Sequence, residues 1–410
     1  MNRRSWLLRN LTRAVGSLAV VGQQAFPAFA QDGPSSIRIG WALAKTGINA
    51  GGVATTVRPN YDMWVKEVNA AGGILLKAHG KRVPIQVVEY DDRSSSEEAV
   101  RAVERLITQD KVDLVLPPWG TSYNLAVAPT MAKHGYPQIT HTTVTDKVPE
   151  LAKRWPSLFF MQGKTEIYGD ALLAYLAAAR KEGKIGDQVA MISIADGFGV
   201  ELANSVRKKS AEYGFKLVYD KSYPIGSQDL SPILTEAKAS KADVFIAFSY
   251  PPDTVLITEQ SRVLAFNPKV FYAGVGVNFP FYRARFGDAS EGILSVGGVS
   301  GDDPRIKDYF KRHQELTGKA PDHYGSLTTY ASLQVLQQAI ERVGKIDRAA
   351  ITKEIEAGTF DTILGPVKFE NQVFGKIFLV GQWQDGVFQG VGPADRPGVK
   401  TAFRPKPAWK

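Results

Sequence analysis

The stretch PPWGTSYNLAVAP, residues 117–129, places a glycine, a threonine, a serine and a tyrosine directly after the apolar run VDLVL, and the chain then turns helical. A second hydroxyl cluster, THTTVT at 140–145, closes the next apolar run, YPQIT. Hydroxyls beside free backbone amides at the end of a strand suit the holding of an anion. Ligands of open parallel sheets collect at the carboxyl ends of the strands. The first N–H groups of a helix have no carbonyl partner within it and point at whatever lies in front. Thr121 and Ser122 stand at the start of one helix and Thr142 and Thr143 just after a strand, so together they can hold a carboxylate without an arginine. The competing role is local, with Thr121 or Ser122 capping its own helix.

Other chemistry is poorly supported. Five histidines, at 79, 134, 141, 313 and 323, include no pair at metal-ligand spacing on one helix, and there is no cysteine to complete a zinc site. The chain contains no G-x-S-x-G elbow and no phosphate-binding P-loop. GVGVNF, 274–279, lacks the third glycine of a dinucleotide fingerprint. Asp91 and Asp92 follow a strand and read as a turn and a helix cap more readily than as a catalytic pair. No cofactor or metal is expected, and catalysis has no local motif in its favour.

The net charge of +9 sits at the ends of the chain. Four arginines and no acid occupy the first 30 residues, and five basic residues without an acid occupy 396–410, so the body between them is neutral. A neutral body lacks the basic footprint of a nucleic-acid binder. The first 30 residues follow the pattern of an export signal: leading arginines, a short apolar core AVGSLAVV, and Ala28-Phe29-Ala30 as a small-x-small cleavage site. RRSWLL, 3–8, also resembles the twin-arginine export motif. Without cysteine, neither a lipid anchor nor a disulfide is expected. A cleaved, unanchored protein of the periplasm follows as the expectation. The tail RPGVKTAFRPKPAWK, with three prolines, reads as a solvated basic extension.

These residues need elements to hold them. Apolar runs and helical periodicity alternate from residue 36, which predicts parallel sheets covered by helices. IRIGWAL, PIQVVEY, VDLVL and YPQIT form one set of strands, with Trp41 inside the first read as core. A helix is expected over 58–71 and another opening on Ser94 and Glu97 at capping-box spacing. QVAMISI, KLVYDKSY, DVFIAF and KVFYAG form a second set, so two lobes of similar build are expected. The C-terminal runs KIFLVGQW and GVFQG alternate as antiparallel strands do.

The motifs IRIGWALAKTG, EVNAAGGI, VVEYDDRSSSEEAVRAVERLI, the pairing of DLVL with GTSYNLAVAP, ADGFGVEL, FSYPPDT and ILGPVKF resemble the branched-chain amino acid type of periplasmic solute-binding proteins of ABC transporters, over nearly the whole chain after the signal. The resemblance implies an α/β fold of two Rossmann-like lobes with three interlobe crossings. Residues 34–158 and 291–364 would form lobe one, 159–290 and 365–395 lobe two, and 396–410 the tail. It implies a monomer that traps a small ligand by lobe closure and delivers it to an inner-membrane ABC permease. The two hydroxyl clusters would take the ligand's carboxylate. Amino-acid binders of the family place an acid where this chain has Val275, so either Glu166, Asp196 or Asp253 substitutes or the ligand has no amine. Trp119, Tyr123, His141, Tyr168, Phe198 and Tyr250 are the expected cleft liners, with Phe198 replacing the family's usual tyrosine. An aromatic or otherwise apolar carboxylate is favoured over a branched-chain amino acid. A sensor of the same fold that feeds a regulator is the second reading, and a two-lobed enzyme a distant third.

Overall fold

The computed structural model describes residues 33–409, so the signal-like segment of the first 30 residues lies outside the described residues. Ile37–Leu43 pairs in parallel with Ile85–Asp91 on one side and Leu114–Leu116 on the other. Its side chains are buried on both faces, as a continuous apolar strand requires when helices cover the sheet on both sides. Trp41 is core, 5.2 Å from the ring of Tyr61. Gln138–Thr140 and Leu158–Phe160 form a further parallel pair.

A second sheet has seven strands. Lys216–Tyr223, Gln188–Ile194, Val244–Phe248, Val270–Ala273 and Leu294–Ser295 run parallel, and the hairpin Val380–Gln384 with Val387–Gly392 adds two antiparallel strands at the edge. The chain leaves the first lobe after Leu158–Phe160, returns after Leu294–Ser295, and leaves again after Gly365–Val367. Two α/β lobes with three crossings result; the alternation of elements predicts the two lobes, and the family resemblance implies the three crossings.

Three local expectations need correction. The second sheet reaches past residue 290, because Leu294 pairs with Tyr272 and the Ser295 hydroxyl donates to the Gly274 carbonyl. The helix Ser96–Thr108 is capped by Ser95, whose hydroxyl accepts from the Glu98 N–H; Ser94 instead has φ 58° and donates its hydroxyl to the Thr46 carbonyl. The basic tail is not a solvated extension. Phe403 is buried 5.8 Å from Tyr175, and Trp409 meets Phe271 edge-on at 4.9 Å. These two rings, spaced between prolines, cover apolar surface of the second lobe. Lys406 goes under with them, its ammonium pushed down to about 8 by burial. Asp91 and Asp92 serve the turn: Asp91 accepts from the Lys45 and Arg93 N–H groups, and Asp92 from that of Ser94.

Candidate functional site

The two sheets present the carboxyl ends of their strands to a shared cleft, and the loops there build two connected spaces. The inner pocket, with about 30 Å³ of free volume, is lined by Thr56, Gly120, Thr121, Thr142, Val144 and Gln162 on one side. Phe198, Val275 and Phe279 face them, and Tyr324 and Gly325 close the end. An outer space of about 370 Å³ is lined by Asn49, Ser122, Tyr123, Asp196 and Asp253 among others. Trp119 and Tyr250 line both spaces. Their rings meet at 5.7 Å and Phe198 stacks on Tyr250 at 5.0 Å, so an aromatic partition contributed by both lobes divides inner from outer.

The inner end is built from helix geometry. The helix Thr121–Lys133 has Gly120 as its N-cap at φ 95°, a left-handed conformation that glycine adopts without strain, and no side chain caps it. Its first N–H groups therefore remain available to an acceptor, with the positive end of the helix dipole behind them. The Gly120 N–H donates to the Thr142 hydroxyl at 2.9 Å, which leaves the Thr142 proton to donate elsewhere. Thr121 uses its hydroxyl to brace the neighbouring loop, accepting from the Val144 N–H at 3.3 Å. Gly325 must be small: a Cβ there would stand 2.5 Å from Thr56 Cγ2 and 3.6 Å from Thr142 Cγ2.

The sequence-derived candidates sort into three groups. Trp119, Thr121, Thr142, Phe198, Tyr250 and Val275 converge on the inner pocket. Ser122 and Tyr123 line the outer space only; Ser122 is exposed, and the Tyr123 hydroxyl accepts from Asn49 at 2.8 Å and is pushed up to about 12 by burial. His141, Thr143 and Tyr168 line neither space. His141 is fully buried, 2.6 Å from the Tyr61 hydroxyl, and burial pushes it down to about 3, so it is a neutral core residue. Thr143 is fully buried, and its hydroxyl has no hydrogen-bond partner among the described residues. Tyr168 acts behind the wall, its hydroxyl 2.6 Å from that of Tyr324.

Seven liners of the inner pocket were not among the candidates: Thr56, Gly120, Val144, Gln162, Phe279, Tyr324 and Gly325, of which Gly120 and Val144 stand inside the two hydroxyl loops. Gln162 follows the Leu158–Phe160 strand just where the chain crosses between lobes, and a residue at a crossing is bound to approach the cleft. That placement was the available signal. Thr56, Phe279, Tyr324 and Gly325 reach the pocket through helix ends whose position depends on packing.

No lining residue of the inner pocket is charged. Of the acids that could meet an ammonium, Asp196 caps the helix Gly197–Lys209 and accepts from the Tyr250 hydroxyl at 2.9 Å, and burial raises its pKa. Asp253 is buried, accepts from the Tyr250 N–H, and is raised to about 6. Glu166 is exposed and lies 3.9 Å from Lys209. Both buried carboxylates already serve helix starts in the outer space. The lobes also touch beyond the pocket, where Glu201 accepts from the Thr145 hydroxyl at 3.0 Å and the Asp146 N–H at 2.9 Å. Among the described residues no group of side chains could hold a metal ion, and no helix is long and apolar enough to cross a membrane.

Comparison with known proteins fits this geometry. The family model described as periplasmic binding protein matches residues 36–386. A Leu/Ile/Val-binding protein homolog of Brucella suis is 23% identical, covering 80% of this chain and 84% of its own. The substrate binding protein of a branched-chain amino acid transporter from Streptococcus pneumoniae, solved with isoleucine, superposes with a TM-score of 0.73 at 21% identity over 87% of this chain and 100% of its own. A solute binding protein of an ABC transporter from Rhodopseudomonas palustris, solved with 3,4-dihydroxybenzoic acid, superposes at 0.71 with 18% identity, covering 89% and 99%. The fold is the type I periplasmic binding fold. Its strand ends, crossings and shared cleft are those built above from the residues, and with the match spanning most of the sequence the chain belongs to the periplasmic binding protein family.

Proposed function

We propose that this protein is the periplasmic substrate-binding component of an ABC importer and that it captures a small aromatic or otherwise apolar carboxylate lacking an amine. The observation that carries this reading is the inner pocket's complete lack of charged side chains beside an uncapped helix N-terminus. A carboxylate seated there would accept from the amides of Thr121 and Ser122 and from the Thr142 hydroxyl. Fixed dipoles replace its hydration shell without a counter-charge. An ammonium in the same pocket would meet only neutral groups, and burying an unpaired charge costs several kcal/mol. The ligand body would lie against Trp119, Phe198 and Tyr250, whose flat faces suit an aromatic or alkyl group.

Closure follows from the placement of these groups. The amides and Thr142 belong to one lobe, Phe198, Tyr250 and Val275 to the other, so a ligand bridging them stabilises the arrangement in which the lobes meet. An inner-membrane permease would read that arrangement. The two lobes would move about the three crossings between them.

Thermal shift of the purified protein is the direct test, with benzoate-type and phenylpropanoid acids beside leucine, isoleucine and polar amino acids. A ligand at about 100 times its dissociation constant stabilises by ~2.7 kcal/mol. A shift with the aromatic acids alone supports the reading. A shift with leucine alone overturns the amine-free ligand and requires Asp196 or Asp253 to turn inward.

A further inference from the structure

We infer that the protein has a second small-molecule site, a cavity on the crossings between the lobes that takes an amphipathic carboxylate through Arg396. The cavity has about 240 Å³ of free volume and lies apart from the cleft spaces. Its walls are apolar, built by Val299, Ile306, Leu327, Ile363, Ile377 and Phe378. At native packing density that volume takes on the order of ten non-hydrogen atoms.

Among the polar side chains at the wall, which include Ser300, Thr328 and the pair Asp303 and Arg305, Arg396 has a buried donor without a partner. The Arg396 guanidinium stacks on the Phe378 ring at 4.9 Å, and its Nε is buried with no hydrogen-bond partner among the described residues. A buried donor without an acceptor costs about 1–3 kcal/mol, so an acceptor in the cavity relieves a cost the fold already bears. Burial also lowers the Arg396 pKa, which marks the site as poorly solvated. The other charges at the wall cancel: Asp303 pairs with Arg305 at 3.0 Å and caps the helix Pro304–Thr317. One uncommitted guanidinium beside apolar walls suits a monoanion with a hydrocarbon body. A carboxylate matches the planar fork of donors, whereas a phosphate dianion would need further donors.

The site is distinct from the cleft yet shares one residue with it. Tyr324 lines both the cavity and the inner pocket. Its hydroxyl is held by Tyr168, and its backbone N–H donates to the buried Asp322 at 2.8 Å, so it stands as a fixed wall between them.

Isothermal titration of the purified protein with sodium octanoate, and with 1-octanol as the neutral analogue, tests the assignment. Octanoate is expected to bind at least about tenfold more tightly than octanol, as a charge-assisted bidentate contact implies. Arg396→Gln is expected to remove that preference with the thermal midpoint near that of the parent. Leu364→Phe, which fills the cavity and keeps Arg396, is expected to weaken both probes. Octanoate is also an amine-free apolar acid of the kind proposed for the cleft, so Trp119→Ala is expected to weaken only a second, separate octanoate site, the one that Arg396→Gln leaves intact. No octanoate binding by the parent, undiminished binding by folded Arg396→Gln, or a single octanoate site that Arg396→Gln and Trp119→Ala weaken alike would each overturn the proposal. Should Arg396→Gln not fold, unchanged octanoate affinity in Leu364→Phe overturns it instead.

Discussion

The inner pocket and the cavity on the crossings lie on two sides of Tyr324 and differ in how they offer themselves to an anion. The pocket has backbone amides, hydroxyls and no charge; the cavity has largely apolar walls, the ion pair of Asp303 with Arg305, and the guanidinium of Arg396. Under the proposed function, dipoles fixed by a helix start would keep their orientation as the lobes part and close, and would release a ligand without leaving a buried charge behind. A lone arginine attracts more strongly and less selectively, because its charge is present whatever the cavity holds. A capture-and-release site is better served by the first arrangement.

Several changes would break or sharpen that contrast. The largest effect is expected from Val275→Glu. Val275 lines the inner pocket and is 9% exposed, so a carboxylate placed there would face the ligand's own. Affinity for an amine-free acid should fall by roughly 100-fold or more, the size of an unpaired buried charge. Binding of leucine should appear in the same titration. Undiminished binding of the acid would place the ligand elsewhere.

Trp119→Ala should come next. Removing a ring that forms the partition with Tyr250 should cost an aromatic acid about 2–3 kcal/mol in calorimetry, the scale of burying one large aromatic side chain. Thr142→Ala combined with Ser122→Ala should cost about 1–3 kcal/mol, with most of the loss from Thr142, because Ser122 lies exposed in the outer space. Equal single-variant losses would mean that the carboxylate sits farther out than the Thr142 hydroxyl.

The smallest effect concerns stability rather than affinity. Asp253 is raised from 3.8 to about 6 by burial, and Asp196 is raised in the same direction. At Asp253 the folded state thus takes up a proton near pH 6 that the unfolded chain takes up only near pH 4, and Asp196 acts in the same sense, so both favour folding as pH falls. Their contribution should be on the order of 1 kcal/mol. Denaturant midpoints for the parent and Asp253→Asn across this range should show a rise that the variant flattens. An identical profile in the two would assign the effect to other acids.

The strands were legible because most of the parallel strands are short apolar runs bounded by turn residues, which local composition records directly; the edge strands Ile85–Asp91 and Lys216–Tyr223 carry polar residues between apolar ones instead. Thr121 and Thr142 were legible for a related reason, since a residue next to a strand end has few places to go. His141 was not: it stands in the same hydroxyl cluster as Thr142, and only the packing of Tyr61 against it turned it inward. Phe403 and Trp409 were misread because prolines and basic residues around them suggest solvent, while the apolar surface that receives them is formed by Tyr175 and Phe271, far away in the chain.

The sequence by itself determined the alternation of strand and helix, the neutral body, the hydroxyl-rich loops after two strands and the absence of an acid at Val275. All of these depend on residue type and near neighbours. Tertiary structure alone decided that Tyr324 and Gly325 close the pocket, that Trp119 and Tyr250 meet across it, and that Arg396 stands with an unpartnered donor at a cavity on the crossings. Those contacts join residues separated by long stretches of chain, and only the packing of both lobes brings them together.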